Sequence, residues 1–202
     1  MLSRTLPHVD LFTPSVEELT LMLRRSRFDD LARQAVNSEL LGHIDGQLLA
    51  DLADQCIAYG AAVVVIKCGW FGLYIRTADK ARFARGVGRG LANPEGWAGR
   101  ELFEPGYKVD KVVSATGAGD CAIAAFLTAC LRGCSLEDAA RFATAVGAQN
   151  VTAADSISGV KSWEQTAATI AARPPKYDIP LPLKGFTFDA AQQHFTGPRD
   201  RA

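Results

Sequence analysis

The segment KVDKVVSATGAGDCAIAAFLTACL, residues 108–131, carries the pattern that decides the fold. Val109, Val112 and Val113 favour a strand over Lys108–Val113. Small residues then turn the chain at Thr116-Gly117-Ala118-Gly119, and from Cys121 to Leu131 nearly every position is apolar, which predicts a helix buried all round. A helix N-terminus leaves backbone N–H groups unpaired and carries partial positive charge, so a small-residue turn entering it makes a pocket for an anion. Without bulky side chains a phosphate can approach the main chain closely. Asp120 follows at once, a negative charge where a phosphate site would gain from having none. Its placement makes sense if the carboxylate faces a nucleophile and accepts the proton of a hydroxyl, while the amides of Gly117, Ala118 and Gly119 steady a migrating phosphoryl group.

Upstream, Val9-Asp10-Leu11-Phe12 reads as a short strand that stops at Pro14, and Ser15 opens an apolar-periodic helix through Leu19, Met22 and Leu23. A second helix is expected from Asp45 to Tyr59, where Leu48, Leu49, Leu52, Cys56 and Ile57 share a face and Gly60 supplies the stop. The segment between Arg24 and Ile44 also reads as helical. Ala61–Ile66 has no alternation, which fits a strand buried on both faces of a parallel sheet. Gly69 and Gly72 bracket a turn into Leu73-Tyr74-Ile75, and Gly86–Gly99 reads as an exposed connection. Downstream, Ser135 caps a helix over Leu136–Val151. After Arg173 four prolines and a polar end predict an irregular tail, so residues 1–172 form the domain and 173–202 its appendage.

Composition narrows the function classes. The 202 residues are 48% hydrophobic, enough for one globular domain with a sizeable core. Lys and Arg balance Asp and Glu at 22 each, so no net field draws the chain to nucleic acid or to an anionic membrane. Cys56, Cys68, Cys121, Cys130 and Cys134 are odd in number and lack paired C-x-x-C spacing, which reads as reduced core thiols in a cytoplasmic protein. No apolar run reaches the length of a membrane span.

Strand, A-T-G-A-G-D and apolar helix together resemble the second signature of the ribokinase-like (PfkB) carbohydrate kinases. The resemblance runs over residues 8–162 in the family's order: VDLFTPSVEEL is similar to its strand and N-x-x-E element, KCGWFG to its nucleotide-side glycine turn, and Gly147–Gly159 to the segment near the adenine. It implies a three-layer αβα sandwich with a mostly parallel sheet, in which the N-terminal half that grips the sugar has no counterpart. It implies transfer of the ATP γ-phosphoryl to a sugar hydroxyl, with Mg2+. Asp120 would be the base, Gly117, Ala118 and Gly119 the anion hole, and Lys67, Gly69, Gly72, Thr116 and Asn150 the nucleotide contacts. Glu18 would orient magnesium-bound water, although Ser15 replaces the asparagine of that element. Ser114 stands where many members carry an aspartate that helps hold a monovalent cation, so potassium activation is left unsupported.

Plainer readings stand beside these. Ser15-x-x-Glu18 is also a capping box that any helix can use. Lys67 at a strand end can simply be solvated, and the two turn glycines can serve backbone geometry alone. Gly117-x-Gly119-x-x-Ala122 fits a dinucleotide fingerprint with Glu137 and Asp138 at the ribose distance, but that turn should follow a first strand and not lie past the chain's midpoint. A half-protein could also be a nucleotide-binding remnant, a homo-oligomer, or a subunit pairing with a missing N-terminal half through a bare sheet edge.

Overall fold

A computed structural model describes residues 1–34, 40–87, 91 and 94–201. The stretches expected as a helix before Ile44 and as a connection over Gly86–Gly99 lie partly outside these residues. Local signals fix most of the elements. α1 (Leu2–Thr5) leads to β1 (Leu11–Phe12), and α2 (Val16–Leu23) starts from Ser15 in a complete capping box. α3 (Arg25–Gln34) is followed by α4 (Gly46–Ala58), whose N-cap Asp45 accepts the N–H of Leu48 at 2.7 Å. Next come β2 (Val63–Lys67), β3 (Gly72–Thr77), α5 (Lys80–Phe83) and β4 (Glu101–Pro105). α6 (Ala118–Leu131), α7 (Leu136–Asn150), α8 (Trp163–Ala171), β5 (Thr187–Asp189) and β6 (His194–Thr196) complete the chain.

Strand alternation builds two cores. Val63 and Val65 point with Leu73, Ile75 and Leu102 into a cluster closed by Ala122 and Phe126 of α6 and Ala139 and Ala143 of α7. Val64 and Ile66 point the other way, joining Tyr74 and Phe103 against Leu19 of α2 and Leu49 and Leu52 of α4. Three layers result, with the sheet in the middle. Its strand order is β1-β2-β3-β4-β6-β5, and only β1 and β2 run parallel. The expectation of a mostly parallel sheet is therefore corrected to a mixed one. Burial on both faces reports on layers, and a hairpin covered on both sides looks the same in sequence as a parallel strand.

Two further expectations change. Lys108–Val113 joins no ladder; the N–H of Val113 donates instead to the carbonyl of Val151 just past α7, at 2.8 Å. Helix α6 is not buried all round, because Ala124, Leu127, Thr128 and Leu131 form an outward stripe on which Leu131 is 75% exposed.

The tail is the largest correction. Residues after Arg173 extend the sheet: β6 pairs with β4 through Leu102↔Thr196 and Phe103↔Phe195, and β5 pairs with β6. Buried Arg100 lies between Glu137 (2.7 Å) and Asp200 (2.8 Å). Glu101 accepts from the Tyr74 hydroxyl at 2.6 Å and from the Arg199 N–H at 2.7 Å. Lys176 meets Glu104 in a buried ion pair.

Burial pushes the Glu104 carboxyl up to about 7 against the opposing pull of Lys176, and the same burial lowers Lys176. A carboxyl whose value rises on folding keeps its proton longer in the folded state, so stability falls as pH climbs from the ordinary 4.5 to about 7. The slope from Lys176 has the opposite sign and lies at more alkaline pH. Glu104→Gln is expected to flatten the decline in melting temperature between about pH 5 and pH 7. A melting series across that range checks it; an unchanged slope would assign the decline to other groups.

Candidate active site

Gly117 closes the turn in the left-handed region, with φ 78°, as the N-cap of α6. A Cβ there would fall 2.7 Å from the carbonyl oxygen of Ser156, so only glycine fits both the dihedral and the space. The loop bearing Ser156 is itself shaped by Asp155, whose Oδ1 accepts the N–H groups of Ile157 (2.9 Å) and Ser158 (2.7 Å). Gly117→Ala is expected to cost about 1–3 kcal/mol from the strained dihedral and to displace the 155–158 loop. Thermal denaturation measures the first effect and protease sensitivity of the loop the second.

The turn distributes its amides unevenly. The Ala118 N–H is taken by the Ala115 carbonyl at 3.2 Å, the Thr116 N–H by the Ser114 hydroxyl at 3.2 Å, and the Cys121 N–H by the Gly117 carbonyl at 2.8 Å. Among the described residues, no acceptor is found for the amides of Gly119 and Asp120. Of the amides expected to make an anion hole, that of Ala118 is therefore occupied, and those of Gly117 and Gly119 meet no acceptor among the described residues. The open donors of Gly119 and Asp120 lie in the first turn of α6, where helix geometry leaves N–H groups unpaired.

Lys67 reaches this turn from the end of β2. Its Nζ lies 3.7 Å from the position a Cβ on Gly119 would take, which puts an ammonium beside Gly119. Glu18 lies near the same cation: its carboxyl is held below the usual range chiefly by the N–H of Ser15, with Lys67 adding to it. Glu18 Oε2 accepts that N–H at 2.7 Å, and the Ser15 hydroxyl accepts the Glu18 N–H at 3.1 Å, so the capping box is real. Oε1 has no hydrogen bond among the described residues and remains available. Asp120 is exposed in the first turn of α6, with no hydrogen bond or ion pair to another described residue.

Other expected contacts are placed differently. Asn150, expected at the nucleotide, is fully buried; its Nδ2 donates to the Thr116 carbonyl at 2.9 Å and its Oδ1 accepts from the Cys121 thiol at 3.5 Å. It braces the turn from behind, because both ends of its amide are already engaged. Gly72 is buried against β4, where a Cβ would fall 2.0 Å from the Glu104 carbonyl oxygen, so its glycine serves strand packing. Gly69 is exposed at φ 54° and Thr116 is exposed beside the turn. Sequence reasoning missed Ser156, whose closeness to Gly117 is a long-range contact with no local signature.

Magnesium keeps several waters and takes one or two carboxylates together with substrate phosphates. Among the described residues no group of three acidic, histidine or cysteine side chains could cage a metal by itself. One carboxylate with a free oxygen beside an anion turn fits the water-mediated mode. No described helix is long and apolar enough to cross a membrane.

Comparison with known proteins gives the chain's fold and family. The chain is similar to the 2-dehydro-3-deoxygluconokinase of Bacillus subtilis (strain 168), with 30% identity over 138 residues, covering 65% of this chain and 36% of that protein. Arabidopsis thaliana ribokinase, solved with ribose and ATP, superposes with a TM-score of 0.58 at 20% identity over 82% of this chain and 42% of its own. For aminoimidazole riboside kinase from Salmonella enterica the TM-score is 0.55 at 22% identity, covering 83% and 44%. These likenesses establish a ribokinase-like α/β fold, and the chain spans less than half the length of each of these proteins. The sequence also matches the model of the pfkB family carbohydrate kinases over residues 1–163. That match runs through both β2 and the anion turn, and the chain therefore belongs to the pfkB carbohydrate kinase family.

Proposed function

We propose that this chain holds the phosphates of ATP at the N-terminus of α6 and supplies the base and anion hole for phosphoryl transfer to a sugar hydroxyl. One observation carries the reading: the open amides of Gly119 and Asp120 sit at the start of α6, with the Lys67 ammonium beside Gly119 and a carboxylate with no described partner on Asp120. Amides and ammonium offset charge on the transferring group, and the carboxylate is left to the acceptor. In the transfer, the acceptor oxygen bonds to the γ-phosphorus, the bond to the ADP oxygen breaks, and the hydroxyl proton passes to Asp120. Glu18 would orient water on a magnesium ion bound to the phosphates. Thr116 and Gly69 would border the nucleotide.

Of the acceptors, 2-dehydro-3-deoxygluconate is the first to try, because the curated relative is named for it. A second reading is a module that binds the nucleotide through the same turn without turning it over. Calorimetry with MgATP, followed by a coupled assay of ADP release with and without sugar acids, separates the two. Binding together with acceptor-dependent ADP release supports the kinase; binding alone supports the module. Absence of nucleotide binding would defeat both.

A further inference from the structure

Trp70 sits at the tip of the β2–β3 hairpin, between Gly69 and Gly72, three residues beyond the lysine that covers the anion turn. It is 45% exposed. The other two tryptophans have packing roles: Trp97 is buried, and Trp163 stacks on Phe142 at 3.7 Å beneath the Arg132 guanidinium. Single exposed apolar residues are ordinary on protein surfaces, but Trp70 is not a loose one. Its ring is set nearly perpendicular to Phe71 at 4.1 Å and to Tyr177 at 5.0 Å. The backbone is fixed as well, since Gly69 and Gly72 have φ of 54° and 119° and the Trp70 carbonyl oxygen lies 2.3 Å from where a Cβ on Gly106 would be.

Tyr177 belongs to the C-terminal segment, beyond the family match that ends at residue 163. It is tied to the extended segment leading into the α6 turn: its N–H donates to the Gly106 carbonyl at 2.8 Å, and its hydroxyl accepts the Val109 N–H at 3.4 Å. The same segment then continues through Lys111 and Ser114 to Gly117. The held aromatic pair and the Lys67–Gly119 contact are thus the two ends of one short stretch of chain. Three residues from Lys67 limit the backbone separation to about 11 Å. A ligand that suits both ends is elongated, anionic at one end and planar and apolar at the other.

We infer that Trp70, braced by Tyr177, is the surface on which the nucleotide base stacks, so that the C-terminal segment is part of the nucleotide site. This rests on the phosphate reading of the α6 turn. Stacking recognises the π-face of a base, so Trp70 selects nucleotides over bare polyphosphate more than it selects one purine over another.

The test compares MgATP with inorganic tripolyphosphate by calorimetry on wild type, Trp70→Leu, Trp70→Phe and Tyr177→Leu. Trp70→Leu is expected to weaken ATP binding roughly 5- to 150-fold, the range of a lost base–aromatic stack, and to leave tripolyphosphate within about twofold. Trp70→Phe should restore most of the ATP affinity, and Tyr177→Leu should show a smaller loss of the same kind. Unchanged ATP affinity in Trp70→Leu overturns the inference while the phosphate reading stands. Equal loss of both ligands also overturns it, by showing that Trp70 only shapes the turn. If wild type binds neither ligand, the phosphate reading fails and the inference falls with it.

Discussion

Asp120→Asn is expected to lower acceptor-dependent ADP release by roughly 10²- to 10⁴-fold, the usual contribution of a positioned general base. Asparagine keeps the shape of the side chain and removes its ability to take the hydroxyl proton. Because Asp120 is exposed and has no described partner, the substitution breaks no bond that holds the turn together. A carboxylate in the first turn of a helix favours the helix dipole by about 0.3–1 kcal/mol, so a small fall in melting temperature should accompany the change. Nucleotide affinity has a different expectation. Removing a negative charge next to a polyphosphate relieves repulsion, so MgATP should bind the variant at least as tightly as wild type. The combined result, turnover lost and binding kept, distinguishes a base from a phosphate ligand. Turnover that survives the substitution would show that the proton goes elsewhere.

The turn into α6 and the buried strand β2 were legible because each is a local pattern: small residues followed by a long apolar run, and four β-favouring positions without alternation. The caps at Ser15 and Ser135 were legible for the same reason, since a capping side chain acts within three residues of itself. Strand direction was not, because hydrophobic pattern records which faces are buried and says nothing of which way a neighbour runs. The surroundings of Ala118 and Asn150 were hidden for a related reason. Whether an amide faces a ligand or a carbonyl depends on Ala115 and Thr116 in space, and in both cases the protein's own backbone takes the bond. The tail was hidden most thoroughly. Its strands are three residues each, too short to show a period, and they are held by partners such as Arg100, Glu101 and Glu104 that lie far away in the chain.

That dependence makes Lys176→Met the most destabilising change expected in the tail. Lys176 donates to Glu104 and to the Gln193 carbonyl (3.0 Å), and its ammonium lies 5.0 Å from the centre of the Tyr107 ring. Glu104 is almost wholly buried, and its Oε2 already lacks a partner among the described residues. Methionine fills much of the same volume, so the loss is one of charge and hydrogen bonding. Removing one member of a buried pair typically costs about 3–5 kcal/mol, because the other charge is left uncompensated. For a chain of this size that corresponds to a drop in melting temperature on the order of 10 °C. The loss should depend on pH. Lys176 is what restrains the rise of the Glu104 carboxyl, so without it Glu104 holds its proton above about 7, and the penalty shrinks as pH falls toward about 7 and levels off below it. Glu104→Gln combined with Lys176→Met removes both charges and should recover a large part of the stability at pH 8 and above, where the single variant is worst. A double variant no more stable than Lys176→Met there would mean that the tail is held by its hydrogen bonds to β4 and not by the ion pair.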